Sequence, residues 1–339
     1  MGLAPPQGAI VCPRCHGGLT PIESDDVLCC DACKWRWPLI AGIPDLRVSG
    51  DPFLTVEEDR NAAVRLTARS SLSFAELLAS YYEGNDLVPA SQARGIIRAT
   101  LAARQRALSF LRHAERLVGI DIGPAHRVLD IGAGTGPLAV ELATRGADVW
   151  AVDIGLRWIA LARARAADAC VSLNTLCAGI GNLPFRDASF DFVFGESVLE
   201  LVQDQSGALR ELHRVLRPGG QLVFSTPNRW SPGPDPHTGV PFTSWLPQGG
   251  VTAVARMRGI LPPTRTLLGR VGLRRLLRLA GFREVTIDPP EIPVGLAAGA
   301  PAWLRAGIAA YRRAMAIPGL RRIAAWVAPM HIAAAQRPH

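Results

Sequence analysis

Residues 128–153 read VLDIGAGTGPLAVELATRGADVWAVD. Val128, Leu129 and Ile131 supply a buried strand. The run Gly132-Ala133-Gly134-Thr135-Gly136 then makes a turn in which the backbone approaches a ligand too closely for any Cβ. Pro137 occupies a first helical position, where a missing N–H costs nothing. A second apolar strand ends at Asp153, 17 residues beyond Gly136. A carboxylate at that reach can accept hydrogen bonds from both hydroxyls of a ribose. A dinucleotide fingerprint would require glycine where Pro137 stands. With Asp130 inside the first strand end, this points to a nucleoside ligand without a pyrophosphate, and S-adenosylmethionine fits that description.

Further segments extend the pattern in order. They are Asn182-Leu183-Pro184-Phe185-Arg186-Asp187, Ser189 to Phe194, Ser197-Val198-Leu199-Glu200, and Leu212-His213-Arg214-Val215-Leu216-Arg217-Pro218-Gly219-Gly220. Leu222 to Thr226 reads as the fifth strand, Gly281 to Val285 as entry to the sixth, and Met330 to Ala335 as the last. On these residues the chain resembles class I S-adenosylmethionine-dependent methyltransferases of the small-molecule type, over about two-thirds of its length. The resemblance implies an α/β fold, a doubly wound seven-stranded Rossmann-like sheet. It also implies a cofactor site at Asp130, Gly132, Gly134, Gly136, Asp153, Ile154, Gly179, Ile180 and Glu196. Two departures stand out. Gly179 takes the place where relatives carry an acidic residue for the adenine amino group, so adenine recognition falls to backbone near Gly179 and Ile180. Leu201 replaces a histidine that commonly follows the fourth-strand glutamate.

Ahead of this region, Cys12-Pro13-Arg14-Cys15 and Cys30-Asp31-Ala32-Cys33 form a pair of knuckles with zinc-ribbon spacing. Four thiolates complete a tetrahedral set with no open position, so zinc at Cys12, Cys15, Cys30 and Cys33 would be structural. A shifted set using Cys29 or His16, a disulfide pair and a redox site are the alternatives. The continuation Trp37 to Leu46 resembles small bacterial zinc-ribbon proteins and the activator subunit of tRNA and release-factor methyltransferases, here joined in cis. The expected organisation is a zinc ribbon over 1–50, a helical cap or linker over 51–122, and a methyltransferase domain over 123–339 with a substrate-side insertion at about 227–280. The cap should carry apolar faces through Phe74, Leu77, Leu78 and Tyr81, and through Ile97, Leu101, Leu108, Leu111 and Leu117. Tyr81 and Tyr82 are substrate candidates there, set against the plainer reading of a packed aromatic pair.

Methyl transfer from a sulfonium is an in-line displacement, so positioning supplies much of the rate and a base is optional. Ligands in open α/β sheets sit beyond the carboxyl ends of the strands. Glu196, Glu200 and His237 are therefore the catalytic candidates, and Asn228, Arg229 and Trp230 the substrate candidates. His237 has an imidazole suited to proton transfer near neutrality. Each has a plainer alternative: Glu200 orienting its helix, His237 bracing a loop.

The 339 residues carry a formal charge of +8. From Val251 to His339 there are 14 Arg against Glu284, Asp288 and Glu291, a local +11 that leaves −3 elsewhere. Lys34 is the only lysine, so this richness reads as codon usage rather than phosphate recognition. Leu267 to Leu279 and Ala302 to Val327 read as amphipathic basic helices. They would have a core-facing side and a solvated one, or would rest on an anionic membrane or grip a lipid-like acceptor. The start lacks the pattern of a secretory signal, and Ile292 to Leu304 is too short to span a bilayer, so a cytoplasmic location is expected. The leading reading is methyl transfer to a small or lipid-linked metabolite. An rRNA or tRNA base methyltransferase with a zinc recognition module is the alternative, and a non-catalytic cofactor-binding scaffold is the third. An Asn-Pro-Pro-aromatic signature for exocyclic base amines is absent. Oligomeric state is not legible.

Overall fold

A computed structural model describes residues 10–22, 25–51, 54–83, 88–291 and 301–339. Within the first 50 residues, β1 (Leu19–Ile22), β2 (Val27–Cys30), β3 (Arg36–Ile40) and β4 (Ile43–Pro44) form an antiparallel sheet in sequential order. Helices α1 (Val56–Thr67), α2 (Phe74–Glu83), α3 (Ala90–Leu101) and α4 (Ala103–Val118) follow. Thr55 and Glu58 close a reciprocal capping box on α1, satisfying end N–H groups that the helix itself leaves without acceptors.

The second sheet has seven strands, in the order β10-β11-β9-β8-β5-β6-β7. Its members are β5 (Arg127–Ile131), β6 (Asp148–Asp153), β7 (Asn174–Cys177), β8 (Phe190–Glu196), β9 (Leu216–Pro227), β10 (Arg283–Asp288) and β11 (Met330–Gln336). Strands β5, β6, β7 and β8 pair in parallel, with Asp130 opposite Phe194, and β10 pairs antiparallel with β11. The parallel strands are mostly apolar and largely buried, because helices cover both faces of such a sheet. Those helices include α5 (Pro137–Thr144), α6 (Leu156–Asp168) and α7 (Gln205–Val215). Later come α8 (Gln248–Met257), α9 (Arg270–Leu279), α10 (Ala302–Ala316) and α11 (Pro318–Ala324). The architecture is the expected doubly wound α/β sheet with an amino-terminal ribbon.

The chain divides into two compact units: residues 1–195 with 207–222 and 337–339, and residues 196–206 with 223–336. The ribbon and the helices after it lie in the first unit together with the glycine-loop half of the sheet, rather than standing as a separate module. Packing explains this. Phe74, Leu77 and Leu78 of α2 and Ala63 and Leu66 of α1 share one buried cluster with Leu156, Ile159 and Leu161 of α6. Burying a Leu or Phe side chain stabilises the fold by about 1.5–3 kcal/mol, so this interface alone holds the helices down. On α4 the buried face is Ala103, Ala107, Phe110, Leu111 and Ala114, and Phe110 meets Phe194 edge to face at 6.1 Å. Leu101, expected on an apolar face, ends α3 and is exposed.

Candidate active site and metal centre

The first unit builds the loop after β5 as the sequence suggested. Gly132, Gly134 and Gly136 all adopt positive φ, at 66°, 52° and 72°. They serve different ends. A Cβ on Gly136 would stand 2.9 Å from the Cβ of Ala162, so that glycine lets α5 and α6 approach. A Cβ on Gly134 would meet nothing within 4 Å, so that glycine faces open space of the kind a ligand fills. The Gly134 and Gly155 N–H groups each donate to Asp153, at 2.8 Å to Oδ2 and Oδ1. The carboxylate at the end of β6 is thereby fixed in orientation. Burial pushes its pKa up, while the two N–H donors and Arg157 pull it down. Asp130 is buried at the end of β5, and Gly179 and Ile180 lie half-buried past β7. This open glycine cradle and acidic strand end fit the amino-acid and sugar portions of S-adenosylmethionine. Beside Gly179 stands a residue the sequence did not flag: a Cβ on Gly179 would be 3.8 Å from Ser49 Oγ and 3.9 Å from Ile154 Cδ1.

Ser49 stands there because the ribbon's tail is locked onto the sheet. Leu46 N–H donates to Cys177 O at 2.8 Å, so the chain after β4 runs beside the edge strand β7. Arg47 then grips Asp45 with two hydrogen bonds of 2.8 Å and reaches Asp59 Oδ2 at 2.7 Å and Ile154 O at 3.2 Å. Asp59 accepts from the Leu156 and Arg157 N–H groups, at 2.7 and 3.2 Å, and from Arg157 Nη1 at 2.7 Å. It thus caps α6, whose own N-cap, Gly155, offers no side chain. Arg157 also pairs with Asp51 at 2.6 Å, and Arg60 with Asp45 at 2.7 Å. Three carboxylates meet three guanidinium groups, and all but Arg60 are buried. Asp45 is held below the usual carboxylate range: Arg47 and Arg60 outweigh the burial that would raise it.

Tyr81 packs edge-on against Tyr82 and Trp158, at 5.0 and 5.6 Å between centroids. Both tyrosines pack against the cluster formed by α1, α2 and α6. Burial pushes Tyr82 up to about 12. The packed aromatic pair is therefore the arrangement observed.

In the ribbon, the sulfurs of Cys12, Cys15, Cys30 and Cys33 all lie within 4.8 Å of one another, with Cys12 to Cys33 at 3.7 Å and Cys15 to Cys30 at 3.4 Å. A tetrahedron of thiolates about zinc has an edge of about 3.8 Å, from a Zn–S bond of about 2.3 Å. The two knuckles repeat one geometry. His16 N–H donates to Cys12 O and Lys34 N–H to Cys30 O, and both residues take positive φ, at 58° and 59°. His16 is thus the turn residue of its knuckle. Cys29 Sγ contacts Cys30 O, outside the four-sulfur cluster.

The second unit carries a buried polar group on the residues after β8. Glu200, 2% exposed, accepts from Thr226 Oγ1 at 3.0 Å. Desolvation pushes its pKa up to about 7 against the pull of its own N–H, Thr226 and Arg265. The segment is braced by Thr266 N–H to Glu200 O at 2.8 Å and by Gln205 Nε2 to the carbonyls of Leu199 and Thr266. Nearby in sequence, Asp235 organises the loop: it pairs with Arg265 and accepts from Ser244 Oγ and from the N–H groups of His237 and Thr238. His237 itself is an exposed residue. Its pKa is lowered by partial desolvation of the ring and by the Arg265 cation. Glu196 ends β8, half-buried.

The three substrate candidates after β9 each have partners within the protein. Asn228 is fully buried, donates to Trp326 O and Ala328 O at 2.8 and 2.9 Å, and accepts from Trp230 N–H. Its amide braces the chain here. Arg229 stacks over Trp230 at 5.7 Å, and that indole rests against Gly269 at a half-exposed position.

Known proteins bear on this geometry. Residues 129–224 match the family model described as "Methyltransferase domain". The biotin biosynthesis bifunctional protein BioHC of Cellvibrio japonicus is 40% identical over 119 residues, 33% of this chain and 23% of that protein. The demethylmenaquinone methyltransferase of Mycobacterium sp. strain KMS is 40% identical over 116 residues, 33% of this chain and 48% of that protein. The chain thus spans less than half the length of either curated relative. Among solved structures, Haemonchus contortus phosphoethanolamine N-methyltransferase 2 in complex with S-adenosyl-L-methionine superposes with a TM-score of 0.45 at 19% identity, covering 69% of this chain and 53% of that one. Over residues 129–224, then, the chain matches a methyltransferase domain.

Proposed function

We propose that the whole chain is an S-adenosylmethionine-dependent methyltransferase whose acceptor is a small or lipid-linked metabolite. The observation that carries this reading is the pairing of Gly134, open above its backbone, with an Asp153 carboxylate held by the loop's own N–H groups. When bound, the sulfonium supplies an electrophilic methyl carbon and a neutral thioether leaving group. Asp153 binds the ribose hydroxyls, and the backbone of Gly132 to Gly136 receives the amino-acid end. Ser49, Gly179 and Ile180 border the adenine, in place of the acidic residue that relatives use. Glu200 accepts the acceptor's proton, because a carboxyl whose pKa lies near about 7 is partly ionised at neutrality and still basic. His237, kept neutral by its lowered pKa, serves the insertion loop. Curated relatives named for a quinone precursor and for biotin biosynthesis support an acceptor of this size.

The ribbon holds a structural zinc through Cys12, Cys15, Cys30 and Cys33, and its tail completes the cofactor wall. The test is incubation of purified, metal-replete protein and methyl-labelled S-adenosylmethionine with cell extract resolved into RNA, lipid and small-metabolite fractions. Label in the lipid or metabolite fraction is expected. Label in RNA alone overturns the acceptor class, and no label anywhere, with S-adenosylhomocysteine failing to bind, overturns the enzyme.

A further inference from the structure

Helix α10 is 15 residues long, yet none of its residues is buried. Leu304, Ile308, Tyr311 and Met315 make only a half-buried stripe on it. An isolated helix of this length is marginal in water, and helices of folded proteins are ordinarily held by an apolar face they bury. Among the described residues, α10 and α11 are tied down by Tyr311 Oη, which donates to Pro290 O at 3.1 Å, and by Arg321 Nη2, which donates to both carboxylate oxygens of Asp288 at 3.1 Å. Beyond Pro318, the side chains that should seal α11 face water. Leu320 and Ile323 on α11 are 45% and 66% exposed, and Val327, just past its end, is 42% exposed. Ile317, Trp326 and Trp303 flank them at 51%, 50% and 56%. Between residues 301 and 327 there are five arginines and no aspartate or glutamate.

We propose that α10 and α11 form an interfacial docking surface for an anionic phospholipid bilayer. Each feature matches that partner. Apolar side chains projecting without a groove insert into the acyl boundary, and tryptophan rings settle at headgroup level. Arg312, Arg313 and Arg322 lie in a stretch that carries no acidic residue of its own; such arginines are drawn to an anionic leaflet and can keep their cations in the headgroup layer while their stems lie along apolar surface. A nucleic acid would meet the arginines but would leave Leu320, Ile323 and Val327 in water, since its backbone offers them nothing. The inference stands on this surface and is independent of which acceptor is methylated.

The test is flotation of the full-length, zinc-replete protein with phosphatidylcholine vesicles and with vesicles enriched in phosphatidylglycerol. Expected are flotation with the anionic vesicles only, weakening as salt rises, and a loss of about tenfold or more in Ile323→Glu and in the Arg312→Glu/Arg313→Glu double variant. Ile323 is exposed, so Ile323→Glu should keep the circular dichroism and melting of the parent, which confirms that lost flotation reports the surface. Equal flotation with neutral vesicles, undiminished flotation of the folded variants, or nuclease-sensitive RNA binding with no flotation would each overturn the proposal.

Discussion

Asp59→Asn would strip one negative charge from a buried group that has three carboxylates and three guanidiniums. Asp59 receives four hydrogen bonds: from Arg47, from the Arg157 side chain, and from the N–H groups of Leu156 and Arg157. Asparagine keeps one oxygen for the helix cap but turns an NH2 toward a guanidinium and leaves one buried cation uncompensated. Breaking a buried pair in this way costs about 3–5 kcal/mol, a large part of a typical total of about 5–15 kcal/mol. Urea denaturation followed by circular dichroism reads this as a lower midpoint at unchanged slope. Because Arg47 also holds Ile154 O, next to Asp153 in the chain, affinity for S-adenosylhomocysteine by calorimetry should fall as well. Adding Arg47→Met removes the stranded charge, so the double variant should recover about 1–2 kcal/mol relative to additivity. A loss below about 1 kcal/mol, or strict additivity, would refute the idea that this cluster clasps ribbon to catalytic core.

Asp153→Ala should weaken S-adenosylhomocysteine binding by about 2–3 kcal/mol, since charged hydrogen bonds to hydroxyls have about that strength, and calorimetry with unchanged melting checks it. Purified protein should contain about one zinc per chain by elemental analysis, and chelation should unfold the ribbon and shift the fluorescence of Trp35 and Trp37, which sit 6.0 Å apart on it. Burial raises the Glu200 pKa to about 7 in the folded protein, from about 4.5 in an unfolded chain. Its contribution is therefore fully favourable below the unfolded value, declines between the two, and is lost above about 7. Glu200→Gln should accordingly stabilise the protein above neutrality, by up to about 3 kcal/mol, with little change in acid, while abolishing an ascending limb in the pH profile of methyl transfer.

The glycine loop and Asp153 were readable in sequence because every element of that site is local: strand, turn, helix and strand end lie within 26 residues, and each constrains the next. The four cysteines were readable for a similar reason, since a C-x-x-C knuckle encodes its own turn, down to the left-handed residue that follows it. The clasp was not. Asp59 meets Arg157 across 98 positions and Asp51 meets it across 106, and no periodicity or spacing records such a pairing. Nor could sequence show that Asn228, polar and set just past a strand end, turns its NH2 group to the carbonyls of residues 326 and 328. The basic carboxy-terminal helices read alike as amphipathic, yet α9 buries Leu273 and Leu277 while α10 buries nothing, because amphipathicity states that a face exists and not what covers it.

What the sequence by itself determined is the α/β sheet, the glycine turn after β5 and the thiolate set, all products of short-range sterics and of apolar runs that must be buried. Only the tertiary structure decided that the ribbon's tail lies along β7, that Ser49 stands over Gly179, and that Glu200 sits in an environment where its proton is held to about 7. The physical reason is that charge pairing and desolvation depend on distance through space, which the order of residues along the chain does not specify.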